Sequence, residues 1–250
     1  MVSLSNHRRA LRQAQGEWVR MKAMTDPNDV GLIIFDMDGT LVPSLPATYQ
    51  AIRRAFARMG WPVRFSEQDI EPFFGMPSTM GTGGFYEFIS PEGCPLSPPE
   101  IRSIVYEEYP DSFRELAQPY PGVRETLAAL RKRGYRLALY TNASVRYLDM
   151  VMTAVNIRAY FDHIECIWQH NLTKPDLVRK IKERFGGPTT AVVGDRAQDI
   201  ETARETGSLA IGALYGYGGK EPEQADITIS QFGELLDIFD RRLPRPATSR

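Results

Sequence analysis

Cysteine is scarce in this chain: Cys94 and Cys166 are the only two among 250 residues, and they belong to no CxxC pair. Two cysteines so far apart give no disulfide framework, and no cluster of cysteine and histidine indicates a zinc site. We therefore expect free thiols in a reducing compartment and a cytoplasmic location.

The chain also lacks long apolar runs and an excess of charge of either sign. Its apolar stretches are shorter than the ~20 residues needed to span a bilayer. Thirty basic residues against 31 acidic ones give a net charge of -1. We expect no membrane and no nucleic acid as a partner. The basic segment 1–27 lacks the apolar core of a secretion signal, and we interpret it as an N-terminal extension.

Apolar residues make up 42% of the chain, which is enough for a large core. Short apolar runs predict strands, and helical patterns lie between them. The runs cover residues 30–35, 136–140, 163–167, 191–193 and 209–214. This alternation predicts an α/β fold with a Rossmann-like, doubly wound parallel sheet.

Residues 45–119 interrupt this alternation because they show only helical patterns. We therefore predict a core formed by residues 28–44 and 120–250, with a helical domain inserted at 45–119. The borders of the insertion carry turn-forming residues that could act as hinges: Pro43, Ser44 and Pro46 at one border, and Pro119, Pro121 and Gly122 at the other. The glycine-rich segment 80–84 fits either a mobile substrate loop or a linker between helices.

The first predicted strand ends in the sequence DMDGT, which places Asp36 and Asp38 two residues apart. Residues two apart in an extended segment point the same way, so both carboxylates can face one site. A turn built from Asp and Gly is the structural alternative. The second strand ends in Thr141 and Asn142, which suit either an anion site at a helix start or the cap of that helix.

Lys174 directly precedes Pro175, which places this lysine at the mouth of a helix. A basic residue there opposes the helix dipole, and this favours anion binding over a solvated surface position. Asp195 ends another predicted strand, and Asp199 follows one helical turn later. These two acids fit either helix caps or oxygen ligands of a divalent cation.

Several of these acids would repel one another if they met in one site. Two like charges ~4 Å apart cost about 4 kcal/mol at an effective dielectric near 20. We therefore expect a bound cation beside Asp36, Asp38 and Asp195. Oxygen ligands without clustered His or Cys favour Mg²⁺ over zinc.

The segments DMDGT, TN, KP and GDRAQD resemble, in order and approximate spacing, the four motifs of the haloacid dehalogenase superfamily. The resemblance spans residues 31 to about 240. The helical insertion is similar to the cap domain of the branch that contains phosphoglycolate phosphatase-like and β-phosphoglucomutase-like members. Pro43 is a departure from the pattern common in that branch, and it lies outside the catalytic set.

The resemblance implies a role for each motif residue. Asp36 would attack phosphorus and form an aspartyl-phosphate. Asp38 would protonate the leaving oxygen and then accept a proton from the hydrolytic water. Thr141, Asn142 and Lys174 would bind the substrate phosphate.

The same resemblance implies a Mg²⁺ site formed by Asp36, the backbone carbonyl of Asp38, Asp195 and Asp199, the last bound directly or through water. The expected function is a Mg²⁺-dependent phosphatase for a small phosphorylated metabolite, phosphoglycolate-like or a sugar phosphate. We expect the enzyme to be a monomer or a homodimer. A phosphotransferase or mutase of the β-phosphoglucomutase type is the alternative, and a DxD nucleotide-sugar transferase or a non-catalytic binding module explains the motifs less well.

Overall fold

The sheet positions every motif of the chain. The structure, a computed structural model, describes residues 27–75, 78–170 and 172–240. Its described strands form one parallel sheet in the order β3-β2-β1-β4-β5-β6. The strands are β1 (Leu32–Phe35), β2 (Arg136–Thr141), β3 (His163–Cys166), β4 (Thr190–Gly194), β5 (Leu209–Ala213) and β6 (Ile227–Ile229). The strand order reverses between β1 and β4, and in such sheets ligands bind beyond the carboxyl ends of the strands at this point.

Helices cover both faces of the sheet. In β1, Leu32 and Ile34 pack into one buried cluster, while Ile33 and Phe35 pack into the other. Strands buried on both faces give continuous apolar runs, which is the pattern seen in the sequence. The helices are α1 (Leu45–Met59), α2 (Glu67–Ile70), α3 (Ser78–Ile89), α4 (Pro98–Leu116), α5 (Val123–Lys132), α6 (Val145–Val155), α7 (Ile167–His170), α8 (Lys174–Arg184), α9 (Ala197–Glu205) and α10 (Leu235–Ile238). The predicted doubly wound α/β fold is confirmed.

The helices α1 to α4 form the insertion between β1 and the helix that leads into β2. The longest two, α1 and α4, pack against each other and are joined by ion pairs from Arg54 to Glu115 and from Arg58 to Glu107, each 2.6 Å long. No strand occurs among the described residues of this segment. The inserted helical domain is therefore confirmed, and its borders at residues 45 and 119 stay a prediction.

Two local features differ from the sequence-based expectations. The glycine-rich segment 80–84 is neither a loop nor a linker, because it lies inside helix α3. Phe85, Tyr86 and Ile89 in the second half of α3 are buried, and such packing outweighs the low helix propensity of glycine. Strand β6 has no counterpart among the predicted strands, since it has only three residues at the sheet edge.

The other five strands agree with the predicted runs to within two residues at each end. Residues 1–26 of the predicted N-terminal extension lie outside the described residues. Within the described ranges, no helix has the length and apolar character required to cross a bilayer.

Candidate active site

The predicted site residues meet beyond the carboxyl ends of β1, β2 and β4. Asp36, Asp38, Thr141 and Asn142 line one cavity of about 140 Å³. Lys174 is buried and reaches Asp36 at the edge of this cavity. Asp36, Asp195 and Asp199 form one acidic cluster, and together the seven predicted residues occupy a single site.

Lys174 bridges two of the carboxylates. Its Nζ donates to Asp36 Oδ1 and to Asp199 Oδ1, both at 2.7 Å. Helix α8 begins at Lys174, as the sequence predicts, and Thr173 caps it by accepting from the backbone N–H of Asp176. Burial lowers the pKa of Lys174, but the two carboxylates outweigh burial and raise this pKa above its ordinary 10.5. The lysine is therefore charged over the whole physiological range.

Asp36 has one oxygen engaged and one without a partner. Its Oδ1 accepts from Lys174, while its Oδ2 is buried and accepts no hydrogen bond. Burial raises the pKa of Asp36, Lys174 opposes the rise, and the charges of Asp199 and Asp195 add to it. An orphaned carboxylate oxygen of this kind requires a positive or electrophilic partner.

Asp36, Asp195 and Asp199 each present a carboxylate oxygen within 4.8 Å of the others. All three are buried, with Asp195 and Asp199 at 0% exposure. A buried all-oxygen donor set suits a hard cation such as Mg²⁺. The residues therefore fit the metal that the sequence predicts, although Lys174 and Tyr140 already donate to Asp199 Oδ1, the latter at 2.6 Å.

Asp195 is held rigidly by two donors. The hydroxyl of Thr40 donates to its Oδ1 and the backbone N–H of Tyr217 to its Oδ2, both at 2.8 Å. Gly39 lies against this carboxylate with a φ of 85°, and a Cβ there would lie 2.4 Å from Oδ2. Only glycine suits both the backbone conformation and the close approach. Burial, with the charge of Asp199, raises the pKa of Asp195 to about 6.

Asp38 lies outside the acidic cluster and has a different environment. The hydroxyl of Tyr147 donates to its Oδ1 at 3.1 Å, and no described cationic side chain forms an ion pair with it. Burial raises the pKa of Asp38 to about 6, although hydrogen bonds oppose the rise. Tyr147 is absent from the sequence-based set of site residues. The sequence offers one indication of its role, its position in the first turn of α6, three residues after the helix cap Ser144.

Thr141 and Asn142 follow β2 at the wall of the cavity. The hydroxyl of Thr141 accepts from the backbone N–H of Ala143 at 3.1 Å, so its proton is free to donate to an anion. The side-chain amide of Asn142 donates instead to the backbone carbonyl of Gly75 at 2.8 Å and to Gln198 at 2.7 Å. Any contact of Asn142 with phosphate would therefore come from its backbone N–H.

Arg196 joins the core to the inserted domain, a role that the sequence does not indicate. This residue precedes α9, and its guanidinium donates to the backbone carbonyls of Phe74 at 2.9 Å and Glu71 at 3.1 Å. With the bond from Asn142 to Gly75, these contacts hold the segment 71–75 of the insertion over the acidic site. The wall of the cavity on this side thus belongs to the inserted domain.

A doubly wound parallel sheet with a lysine and a cluster of buried aspartates at its switch point defines an α/β enzyme with a candidate divalent-cation site. The family model of haloacid dehalogenase-like hydrolases matches residues 33–213. The chain therefore belongs to the haloacid dehalogenase-like hydrolases. The superfamily predicted from the four motifs is confirmed.

Several similar proteins of known sequence or structure are phosphatases by name. A phosphoglycolate phosphatase of Vibrio parahaemolyticus is 28% identical over 220 residues, 84% of this chain and 96% of the relative. An N-acetylmuramic acid 6-phosphate phosphatase of Pseudomonas aeruginosa is 29% identical over 226 residues, 84% and 95% of the two chains. The crystal structure of a predicted phosphoglycolate phosphatase from Haemophilus somnus 129pt is 26% identical, with a TM-score of 0.72 over 84% of this chain and 98% of that one. The predicted phosphoglycolate phosphatase-like branch is supported by these matches.

Proposed function

We propose that the protein is a Mg²⁺-dependent phosphatase that hydrolyses a small phosphate monoester through a phosphorylated Asp36. The observation that carries this proposal is the state of the Asp36 carboxylate. One of its oxygens is fixed by Lys174 and the other has no partner, on a residue that lines the cavity. A carboxylate held at one oxygen and free at the other is placed to attack an electrophile at the free oxygen.

Asp36 and Asp38 have the environments that two different proton states require. Lys174 contacts Asp36 and favours its ionised form, which is the nucleophile. Asp38 has no cation in contact, and its raised pKa of about 6 favours a bound proton before the first step. Asp38 would donate this proton to the leaving oxygen and, once ionised, accept one from the water that attacks the aspartyl-phosphate.

The remaining motif residues would bind charge that develops on the phosphoryl group. Thr141 offers its hydroxyl proton, and Lys174 offers its ammonium group beside Asp36. Asp36, the backbone carbonyl of Asp38 and Asp195 would hold Mg²⁺, with Asp199 bound directly or through water. The metal would supply positive charge that stabilises the phosphoryl oxygens and allows the acidic cluster to stay ionised.

The substrate would be a small phosphorylated metabolite, of the phosphoglycolate or sugar-phosphate kind. The names of the relatives from Vibrio and Pseudomonas support this class. Both are hydrolases by name, so a mutase of the β-phosphoglucomutase type has less support. A mutase would also require transfer of the phosphoryl group to a second hydroxyl, whereas a phosphatase releases inorganic phosphate without an acceptor.

The first test is release of inorganic phosphate from a panel of phosphate monoesters, with and without Mg²⁺, for wild type and Asp36→Asn. We expect Mg²⁺-dependent release by wild type and a loss of at least a thousandfold in the variant. Asp149→Asn is the matched control and should retain activity. It removes an exposed ion pair between Asp149 of α6 and Arg158, and neither residue lines the cavity. Full activity of Asp36→Asn would refute the mechanism.

The second test distinguishes the two steps. With p-nitrophenyl phosphate, whose leaving group needs little protonation, Asp38→Asn should form the aspartyl-phosphate but hydrolyse it slowly. An acid quench should then trap a phosphorylated protein that hydroxylamine cleaves. If a sugar bisphosphate primer were required for turnover, the mutase alternative would replace the phosphatase.

A further inference from the structure

The cavity at Asp36 and Asp38 opens into a second groove lined by arginine and aromatic side chains. Arg102 and Tyr106 of α4 and Trp168 of α7 line both the cavity and the groove, whereas Arg146 of α6 lines the groove alone. The groove has a volume of about 530 Å³, against about 140 Å³ for the cavity. We call this groove the arginine mouth; it lies where the leaving group of a phosphate ester bound at Asp36 would extend.

The two arginines of the mouth carry charge that nothing in the described part of the chain neutralises. The Arg102 guanidinium lies 5.0 Å from the centre of the Tyr106 ring and 5.7 Å from that of Trp168, and the Arg146 guanidinium lies 5.5 Å from the Tyr106 ring. Neither forms an ion pair with a described carboxylate, and none of the described residues that line the mouth is acidic. Aromatic stacking thus positions two cations that have no anion.

Two other arginines of the inserted domain are paired with carboxylates. Arg54 and Arg58 lie on α1 and each bond a glutamate of α4 at 2.6 Å. These ion pairs join the two helices, so the positive charges of the two arginines are not available to a ligand. Helix α4 thus carries the glutamates that pair with Arg54 and Arg58, but no described glutamate of this helix pairs with Arg102.

We propose that the arginine mouth is a subsite for a carboxylate on the leaving group, so that the preferred substrates are phosphate esters of hydroxy acids or sugar acids. This inference rests on the proposed phosphatase function. One guanidinium offers two parallel N–H groups that match the two oxygens of a carboxylate. Arg102, which reaches the cavity, binds the carboxylate of a short leaving group, and Arg146 binds that of a longer one.

The aromatic rings add a preference for a leaving group with an apolar face. Trp168 is 46% exposed at the mouth, and Tyr106 lies between the two guanidiniums. A sugar ring can lie against such an exposed aromatic face while its acid group meets an arginine. The arginine mouth therefore favours a leaving group that carries both a carboxylate and a sugar-sized ring.

The test compares pairs of esters that differ in the carboxylate. The short pair is 2-phosphoglycolate and ethyl phosphate, and the long pair is N-acetylmuramic acid 6-phosphate and N-acetylglucosamine 6-phosphate. We expect wild type to prefer the carboxylate ester of at least one pair by tenfold or more in kcat/KM, because a charge-assisted bond is stronger than a neutral one. Equal kcat/KM within both pairs would overturn the subsite while leaving the phosphatase intact.

Variants then assign the preference to residues. Arg102→Gln should reduce the selectivity for the carboxylate ester at least tenfold in the short pair, whereas Arg146→Gln should do so in the long pair. Arg53→Gln is the matched control, because Arg53 also stacks on a tyrosine of its own helix, at 6.0 Å from the Tyr49 ring, but lines neither cavity nor mouth. It should leave selectivity unchanged.

The outcomes separate this inference from the proposed function. If no ester of either pair or of the wider panel releases phosphate, the phosphatase itself is refuted. If wild type shows selectivity but neither Arg102→Gln in the short pair nor Arg146→Gln in the long pair reduces it, the two arginines have only a structural role and the subsite is refuted. Preference for a sugar bisphosphate over both members of a pair would replace the carboxylate by a second phosphate.

Discussion

Replacement of Lys174 by methionine tests the electrostatic core of the site. Lys174 is 1% exposed and is the shared partner of two buried carboxylates, each 2.7 Å from its Nζ. Methionine keeps the length of the side chain but leaves Asp36 and Asp199 without their cation. Removal of one member of a buried ion pair costs about 3–5 kcal/mol because an uncompensated charge remains. For a chain of this size, that corresponds to a fall in Tm of about 6–20 °C.

The loss of folding stability caused by Lys174→Met should depend on pH, and the direction of this dependence follows from the buried carboxylates. Burial already raises the pKa of Asp36 in the folded protein, and loss of Lys174 raises it further. The folded variant therefore binds a proton at a pH where the unfolded chain does not, so its stability increases as pH falls towards the ordinary pKa of 3.8. Lys174 itself stays protonated throughout this range, because its pKa is raised above the ordinary 10.5, so the pH dependence arises from the carboxylates alone.

The assay is urea unfolding of metal-free wild type and Lys174→Met at pH 8 and pH 5.5. We expect the full loss at pH 8 and a smaller one at pH 5.5. Arg179→Met is the control: Arg179 is 49% exposed, pairs with the 41% exposed Asp176 at 2.9 Å, and its replacement should cost about 1 kcal/mol or less. A loss below about 1 kcal/mol at pH 8, or an equal loss at the two pH values, would refute the reasoning.

Three further changes test neighbouring contacts. Tyr147→Phe removes the donor to Asp38 and should lower kcat about tenfold in steady-state assays, with little change in KM; an unchanged kcat contradicts this role. Metal-free wild type should gain Tm from pH 8 to pH 5, because the folded pKa values of Asp38 and Asp195, about 6, lie above 3.8. At pH 5 each group should contribute about 1–2 kcal/mol, and Mg²⁺ should raise Tm more at pH 8. Gly194→Ala would place a Cβ 2.2 Å from Asp199 Cγ and should lower both Tm and activity.

The sequence predicts the fold and the acidic site well because both depend on short contiguous patterns. Each motif sits at the point where a buried apolar run ends, and a parallel sheet brings all such points to one edge. Asp36, Lys174 and Asp195 could therefore be assigned to one site without knowledge of any side-chain contact. Helix starts are equally local, and the lysine followed by proline places Lys174 at the first position of α8.

Contacts between residues far apart in the chain leave no comparable pattern in the local sequence. Tyr147 reaches Asp38 across 109 residues of sequence, and Arg196 reaches the carbonyl of Phe74 across 122. Nothing in the local pattern distinguishes either residue from other tyrosines and arginines on helices. Secondary structure is subject to the same limitation in the glycine-rich part of α3. Its glycines have a low helix propensity, but burial of Phe85 and Tyr86 stabilises the helix.

The charges of the site explain why two aspartates separated by one residue can have different roles. Four buried carboxylates, those of Asp36, Asp38, Asp195 and Asp199, face a single buried ammonium group on Lys174. The ammonium contacts only Asp36 and Asp199, and Asp195 joins them in the cluster that can share a cation. Asp38 alone stands outside both arrangements and bonds a neutral hydroxyl. Protonation of Asp38 is therefore the least costly way to relieve the excess negative charge. In the proposed mechanism, the same asymmetry would make Asp38 the general acid and leave Asp36 as the nucleophile.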